Sequence, residues 1–437
     1  MNSHTRRSFI RGGALAAALG RTAAPSADGA TKPPAAGKQP ARIVLTWTGD
    51  PARSQAVTWR TELPADSPQA QIAPLTPNPK FQDSAVTVQA ASEAVALPEG
   101  RNATMYSARF ESLKPGSQYA YRVGDGTTWS EWNICRTADE GKDGPFRFLY
   151  VGDAQNEIHS LWSRAIRAGH RAAPDARFVI HAGDLVDVGY EDRLWGEWCD
   201  SLSFISAMLP SLPVPGNHDL HRAPGSADNG GPLIVPATWH QHFALPGNGP
   251  EVLRGQSYCL DYQGVRFIAL DVNVFAGKIE GDSARQKMAD QQLAWLSKVL
   301  SENRSRWTVV FQHQPVYPIS KERKRAVQME SLLVPLYDKH HVDVVLQGHD
   351  HAYGRTHKLR NGKIVAGEEP GTIYTTTVSG PKMYKLTPVV PDLMAKLLEG
   401  VQLYQVIDVQ PHQLRYQAYT IDGAVVDAFE LHKDKQG

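Results

Sequence analysis

Five apolar runs stop at the same kind of place: FRFLYVGDAQ (146–155), ARFVIHAGDLVD (176–187), LPVPGNHD (212–219), RWTVVFQHQP (306–315) and VDVVLQGHDH (342–351). Each ends in a short turn whose first polar residues are acids, amides or imidazoles. Short runs rich in Val, Ile and Phe read as buried strands. Between them lie stretches with helical spacing, HSLWSRAIRAGHRA (159–172), DQQLAWLSKVLSEN (290–303) and a further helix within 326–340. Strands alternating with helices predict an α/β domain. In open α/β sheets the binding edge lies beyond the carboxyl ends of the strands. The five turns should therefore converge.

What would converge is a set of metal donors: Asp153, Gln155, Asp184, Asp187, Asn217, His218, Asp219, His313, His349 and His351. Carboxylates, amide oxygens and imidazoles without a thiolate suit Mn, Fe or Zn. Calcium would not take so many imidazoles. Two divalent ions would bring +4, and Asp153, Asp184 and a bridging hydroxide −3, so the centre stays near about +1 and favours an anionic substrate such as a phosphate ester. Two metals ~3.5–4 Å apart suit in-line displacement at phosphorus, one generating hydroxide and both neutralising phosphoryl oxygens. Each residue also has a plainer reading. Asp153, Asp184 and Asp187 could be turn residues, Asn217 and His218 a helix cap, His313 a core histidine, and His349 and His351 a solvated loop. The joint pattern favours the metal reading.

The rest of the chain is organised around this half. A length of 437 residues exceeds one ordinary core and implies two or more domains. From 41 to 138 short runs rich in Val, Thr and Trp predict an all-β sandwich of roughly 100 residues. YSARF and YAYRV alternate apolar and polar residues, the turn Gly124-Asp125-Gly126 closes a hairpin, and LKPGSQY (113–119) resembles a tyrosine corner. The polar, glycine-rich stretch 137–145 reads as a linker. The alternating tail YQVIDVQPHQLRYQAYTIDGAVVDAFEL predicts antiparallel strands. Net charge is +1, so bulk charge implies no nucleic-acid partner. Three scattered cysteines allow one disulfide but make neither a disulfide framework nor a zinc site.

The first residues differ. TRRSFIR (5–11) carries Arg6-Arg7, and GGALAAALG (12–20) is too short to span a bilayer. An Ala/Pro-rich stretch follows to about residue 40. This resembles a twin-arginine export signal and implies a periplasmic or extracellular protein; the plainer reading is a disordered basic tail. No other stretch approaches a membrane span.

Taken together, GDAQ, GDLVD, GNHD, VVFQH and GHDH resemble the calcineurin-like metallophosphoesterases. The front sandwich and GHDHAYGRT make the chain similar to the purple acid phosphatase branch. The resemblance spans about 41–432. It implies a fibronectin type III-like domain at 41–138 and a four-layer α/β/β/α metallophosphoesterase domain at 146–432. It also implies two divalent or trivalent transition-metal ions (Fe, Mn or Zn). Asp153 and His351 would hold the first, Asp184 would bridge, and Asn217, His313 and His349 would complete the second. His218 would stabilise phosphoryl oxygens or protonate the leaving group, and Asp187 would orient it. Three positions depart. Purple acid phosphatases carry a metal-binding tyrosine where this chain has Asp187, so no tyrosinate colour is expected. Many relatives have a histidine where this chain has Gln155, whose oxygen would ligate weakly. Gly354 replaces an acidic residue.

The implied activity is hydrolysis of small phosphomonoesters. Alternatives are a phosphodiesterase on the same scaffold, its groove shaped by the insertion 221–256, and a binding protein with a vestigial metal site. Around the centre, His221 could contact substrate, and Tyr353 could line the pocket or simply pack. His340 and His341 read as an exposed helix end, KERKR (321–325) as a solvated face that could reach phosphate, and Asn102-Ala-Thr104 as a glycosylation pattern only. Oligomeric state is left open.

Overall fold

The computed structural model describes residues 37–97, 102–141, 144–222, 233–275, 283–320 and 326–433. The twin-arginine segment, the basic run 321–325 and residues 223–232 of the insertion lie outside them.

From Ala41 the chain folds into two four-stranded antiparallel sheets. One has the strand order 41–46, 55–61, 102–110, 91–96 and the other 86–89, 69–74, 118–124, 133–136. The YSARF run shows why it is a strand: Tyr106, Ala108 and Phe110 are buried between the sheets while Ser107 and Arg109 turn outward. The Gly124-Asp125-Gly126 turn does close a hairpin, joining 118–124 to 133–136. The Asp125 carboxylate accepts from the N–H groups of Thr127 and Thr128. The tyrosine corner is also present: Tyr119 Oη accepts from the Lys114 N–H at 2.8 Å where the chain crosses between sheets.

The second half is built on two facing sheets. One has the order 211–214, 179–182, 146–151, 403–409, 413–420, 425–432; its first three strands are parallel and the C-terminal strands antiparallel. The other runs 258–262, 265–270, 307–312, 344–347, 373–376, 353–356, 394–398, with a parallel block from 265–270 to 373–376. Alternation along the strands makes the layers. Phe267, Phe311 and Leu346 point inward to meet Phe148 and Phe178 of the first sheet, and Phe148 and Phe267 cross edge-on at 5.3 Å. Ile268, Val310 and Val345 point outward under the helices Ser283–Ser301 and Ala326–Lys339. On the far side, helix Ser163–Ala172 covers the first sheet, with Gly169 against Tyr404 and Leu149. The architecture is the expected α/β/β/α.

Several details differ from expectation. Helix Ser163–Ala172 is entered through a π-turn at Ile158–Trp162, and helices Asp192–Leu202 and Phe204–Met208 lie where none was expected. The stretch read as a linker is docked at its start: Ala138 N–H donates to Pro51 O and Asp139 N–H to the Gln263 side chain. All three cysteines are free thiols. His340 and His341 do follow the end of the helix, His341 exposed. Among the described residues no helix is long and apolar enough to cross a membrane.

The sandwich is fused to the second half. Trp47 buries its ring against Phe178 and Tyr262, with centroids 5.6 and 5.5 Å away. Thr46 and Thr58 hydroxyls donate to the carbonyls of Ala244 and His242 at 2.7 Å. Arg42 and Arg60 both meet Asp192 at 2.6 Å. Residues 37–437 group as one unit.

Candidate metal centre

The loops that leave the parallel strands of both sheets meet at one edge. Residues 152–155, 183–187 and 215–219 come from one sheet, and 313–314, 348–351 and 377–382 from the other. Tyr150 links the sheets there: its hydroxyl donates to Gln347 O and accepts from Gln347 N–H.

Asp184 stands between two groups of donors. With Asp153 and His351 it forms one set, and with His313 and His349 the other; within each set the donor atoms lie within 4.8 Å of one another. Asp184 Oδ2 is 3.1 Å from His313 Nε2, and His313 Nε2 is 3.1 Å from His349 Nδ1. His351 Nε2 is 3.7 Å from Asp153 Oδ1. Asp153, Asp184, His313 and His351 are buried.

The backbone is bent to bring these side chains together. Asp153, Asp184, His349 and His351 all have left-handed φ, of 55°, 51°, 75° and 47°. Such residues cost about 1–3 kcal/mol each and persist where their surroundings over-determine them. Here the bonds between loops do so. His349 N–H donates to the Asp153 carboxylate at 2.8 Å, Asp153 N–H to Gly183 O and Gln155 N–H to Asp184 O, both at 3.1 Å. Gly348 must lack a side chain, because a Cβ would fall 2.6 Å from Asp153 Oδ2. At Gly216 it would fall 2.2 Å from Asp184 Oδ1. Asn217 follows Gly216 and precedes His218, whose N–H donates to Asp184 Oδ1 at 2.8 Å.

Carbonyl acceptors set the imidazole tautomers. His313 Nδ1 donates to Ala182 O at 2.8 Å and His351 Nδ1 to Lys382 O at 3.1 Å. Each thereby turns its Nε2 toward the centre. Burial drives Asp153 far above the usual carboxylate range. Burial also opposes the charge on Asp184, but His313 and His218 hold it below that range. Burial opposes protonation of His313, yet Asp184 beside it raises it to about 9. Burial, then the Lys382 ammonium, push His351 down to about 3.

Two amide oxygens test whether metal ions fit. Asn217 Oδ1 and Gln155 Oε1 are buried without a hydrogen-bond partner. An orphaned buried acceptor costs about 1–3 kcal/mol. A cation would satisfy both. Gln155 Nε2 donates to Asp184 Oδ2 at 3.2 Å and approaches His351 Nε2 at 3.0 Å. A half-turn of the amide exchanges nitrogen for oxygen at that place. The donor set therefore fits two ions, with carboxylate, amide and imidazole donors and no thiolate.

His218 Nδ1 lies 3.1 Å from Asp187 Oδ1 and 2.9 Å from Asp187 O, both residues partly exposed. His221 is also partly exposed, its ring 5.8 Å from that of Tyr190. Tyr353 does not line the pocket. It begins strand Tyr353–Thr356, and that strand turns the ring into the core, where its hydroxyl donates to Asp427 at 2.7 Å.

Three supporting elements escaped the sequence reading. Asp219, grouped there with the donors, is instead a tie between loops. Its oxygens accept from Leu185, Val186 and Gly216 N–H groups, and burial, then Asp184, raise it to about 7. Asp350 accepts from Ile319 and Ser320 N–H groups. Asn273 receives Gln314 and donates to Pro215 O, propping the 215–219 turn. The signal for Asp219 and Asp350 was their place inside the histidine-bearing turns. Asn273 carried none.

Comparison with known proteins agrees with this geometry. Residues 40–137 match the purple acid phosphatase N-terminal domain and residues 146–353 match the calcineurin-like phosphoesterase domain. The chain carries a calcineurin-like phosphoesterase domain. An uncharacterised Mycobacterium tuberculosis protein is 29% identical to this chain over 333 residues, 70% of this chain and 60% of that protein. Human acid phosphatase type 7 is 25% identical over 379 residues, 80% of each chain. The purple acid phosphatase PPD1 of yellow lupin (Lupinus luteus) seeds shares the fold, with a TM-score of 0.72 at 18% identity over 92% of this chain and 76% of that one. The chain thus spans less than two thirds of the mycobacterial relative's length.

Proposed function

We propose that the protein is a hydrolase of small phosphomonoesters that works with two transition-metal ions, Fe, Mn or Zn. The observation that carries this is the pair of donor sets sharing Asp184. Asp153, Gln155 and His351 would hold one ion, Asn217, His313 and His349 the other, and Asp184 both. Bound there, the ions supply Lewis acidity toward phosphoryl oxygens and lower the pKa of water. The chain does the rest. Asp187 fixes His218 through Nδ1, which leaves Nε2 to hydrogen-bond a phosphoryl oxygen or pass a proton to the departing alkoxide. Residues 1–40 add a proposed export step by the twin-arginine route, placing the enzyme in the periplasm or outside the cell. Replacing Arg6 and Arg7 by lysine should then hold the protein in the cytoplasm.

The test is hydrolysis of an aryl phosphate monoester and the matching diester by mature protein loaded in turn with manganese, zinc and iron. Asp184→Asn serves as the blank. Faster monoester cleavage, abolished in the blank, supports the proposal. Faster diester cleavage overturns the substrate class in favour of a phosphodiesterase. Cleavage of neither, with metal absent after loading, favours a vestigial site.

A further inference from the structure

A lysine beside the centre has no carboxylate partner among the described residues. Residues 379–384 follow the strand Ile373–Thr376 and press against the Asp153 side of the site. Ser379 N–H donates to Gly152 O at 3.0 Å, and a Cβ on Gly380 would fall 2.0 Å from Asp153 O. Lys382 O receives His351 Nδ1, and Tyr384 N–H donates to His351 O at 3.0 Å. The Tyr384 ring then meets the His351 ring edge-on at 4.7 Å. This loop is thus fastened to two of the proposed ligands.

The Lys382 side chain is half-buried, and its ammonium lies 5.7 Å from the Tyr384 ring centroid. That is near the outer reach of a cation–π contact. Among the described residues no carboxylate lies within ion-pair distance of it. Lys385, three residues on, is exposed and paired with Glu399 at 2.9 Å. The outer lysine thus has a counterion, and among the described residues the inner one has none. A half-buried cation beside a site that gathers cations gains most from an incoming anion.

We infer that Lys382 binds a non-bridging phosphoryl oxygen of the substrate and so selects dianionic monoesters over monoanionic diesters. This rests on the phosphoesterase reading above. A monoester offers three non-bridging oxygens and two charges, whereas a diester offers two oxygens and one charge. A lysine placed beyond the metal donors has a partner in the first and none in the second.

The test compares wild type, Lys382→Met and Lys382→Arg, each loaded with zinc and checked for metal content. Inorganic phosphate is titrated by calorimetry, and kcat/KM is measured on an aryl monoester and its diester. In Lys382→Met, phosphate affinity and monoester kcat/KM should fall on the order of tenfold to a hundredfold, the scale of one charge-assisted hydrogen bond. Diester kcat/KM should change by less than about threefold, metal content should hold, and arginine should recover most of the loss. Unchanged phosphate affinity, equal loss on both esters, or loss of metal overturns the inference. If wild type cleaves neither ester, the phosphoesterase reading fails on its own, and the phosphate titration still decides the role of Lys382.

Discussion

Asp184 Oδ2 lies 3.1 Å from His313 Nε2, and the same oxygen accepts from Gln155 at 3.2 Å on its other side. One carboxylate therefore faces both halves of the site. Asp184→Asn keeps the shape but not the charge. Its metal-free stability should fall by about 1–3 kcal/mol, because the buried pair with His313 loses its charge, but the protein should stay folded. Bound metal, counted by mass spectrometry, should drop from two ions to one or none, and hydrolysis should fall by at least about 10³-fold. Retention of two ions would contradict a bridging role.

Proton and metal compete for His313 Nε2. Asp184 raises this imidazole to about 9, so at neutral pH the metal-free histidine carries its proton. The sign follows: binding must release that proton, so affinity rises with pH. The apparent affinity of the ion on the His313 side should climb about tenfold per unit below pH 9 and level above it. Zinc titration between pH 6 and 9 reads this slope, and a flat profile would rule it out.

Gln155 stands where an imidazole would ligate more strongly. Metal titration of the apo-protein should show two unequal affinities, with the Asp153/His351 side the weaker. Gln155→His should tighten that side by about tenfold, within the range that outer contacts and ligand changes command. Two equal sites in wild type would count against the assignment.

Asp187 makes a colour prediction. With no tyrosine at this position, oxidised, iron-loaded protein should lack an intense tyrosinate band in the visible. Asp187→Tyr should introduce one and, by removing the carboxylate 3.1 Å from His218 Nδ1, lower kcat by about 10- to 100-fold. A strong band in wild type would refute this.

Asp192 is held below the ordinary carboxylate range; burial opposes its charge, but Arg42 and Arg60 outweigh it. A carboxyl depressed in the folded state stabilises above its unfolded pKa, near about 4, and loses that contribution as pH falls through the folded value. Asp192→Ala should cost about 2–4 kcal/mol at pH 7, since Arg42 loses its carboxylate and Arg60 keeps only Glu62. The gap between denaturant melts of wild type and variant should narrow as pH falls below about 4, the unfolded carboxyl value.

The fold was legible because its strands are buried on both faces, so the VRFIAL, WTVVFQ and VVLQ runs cannot be solvated loops. The donors were legible because each lies among the first few polar residues after such a run. The same logic left Tyr353 open between pocket and core. It follows His351 by two residues, yet the chain has already re-entered a strand whose alternation points that ring inward. Lys382 and Asn273 were invisible because their roles depend on loops adjacent only in space. The helices between 192 and 208 were missed because WGEWCDSLSFISAM mixes apolar and polar residues without a clean period.

Trp47 leaves the front sandwich and ends in a cluster with Phe178 and Tyr262. A recombination break drawn at the composition change near 138 would strip the second half of that indole and open a hole between those two rings. Domain shuffling needs borders at which each piece keeps its own core. The front sandwich therefore cannot be exchanged alone, and a change on either side of the seam at Trp47 must be matched on the other.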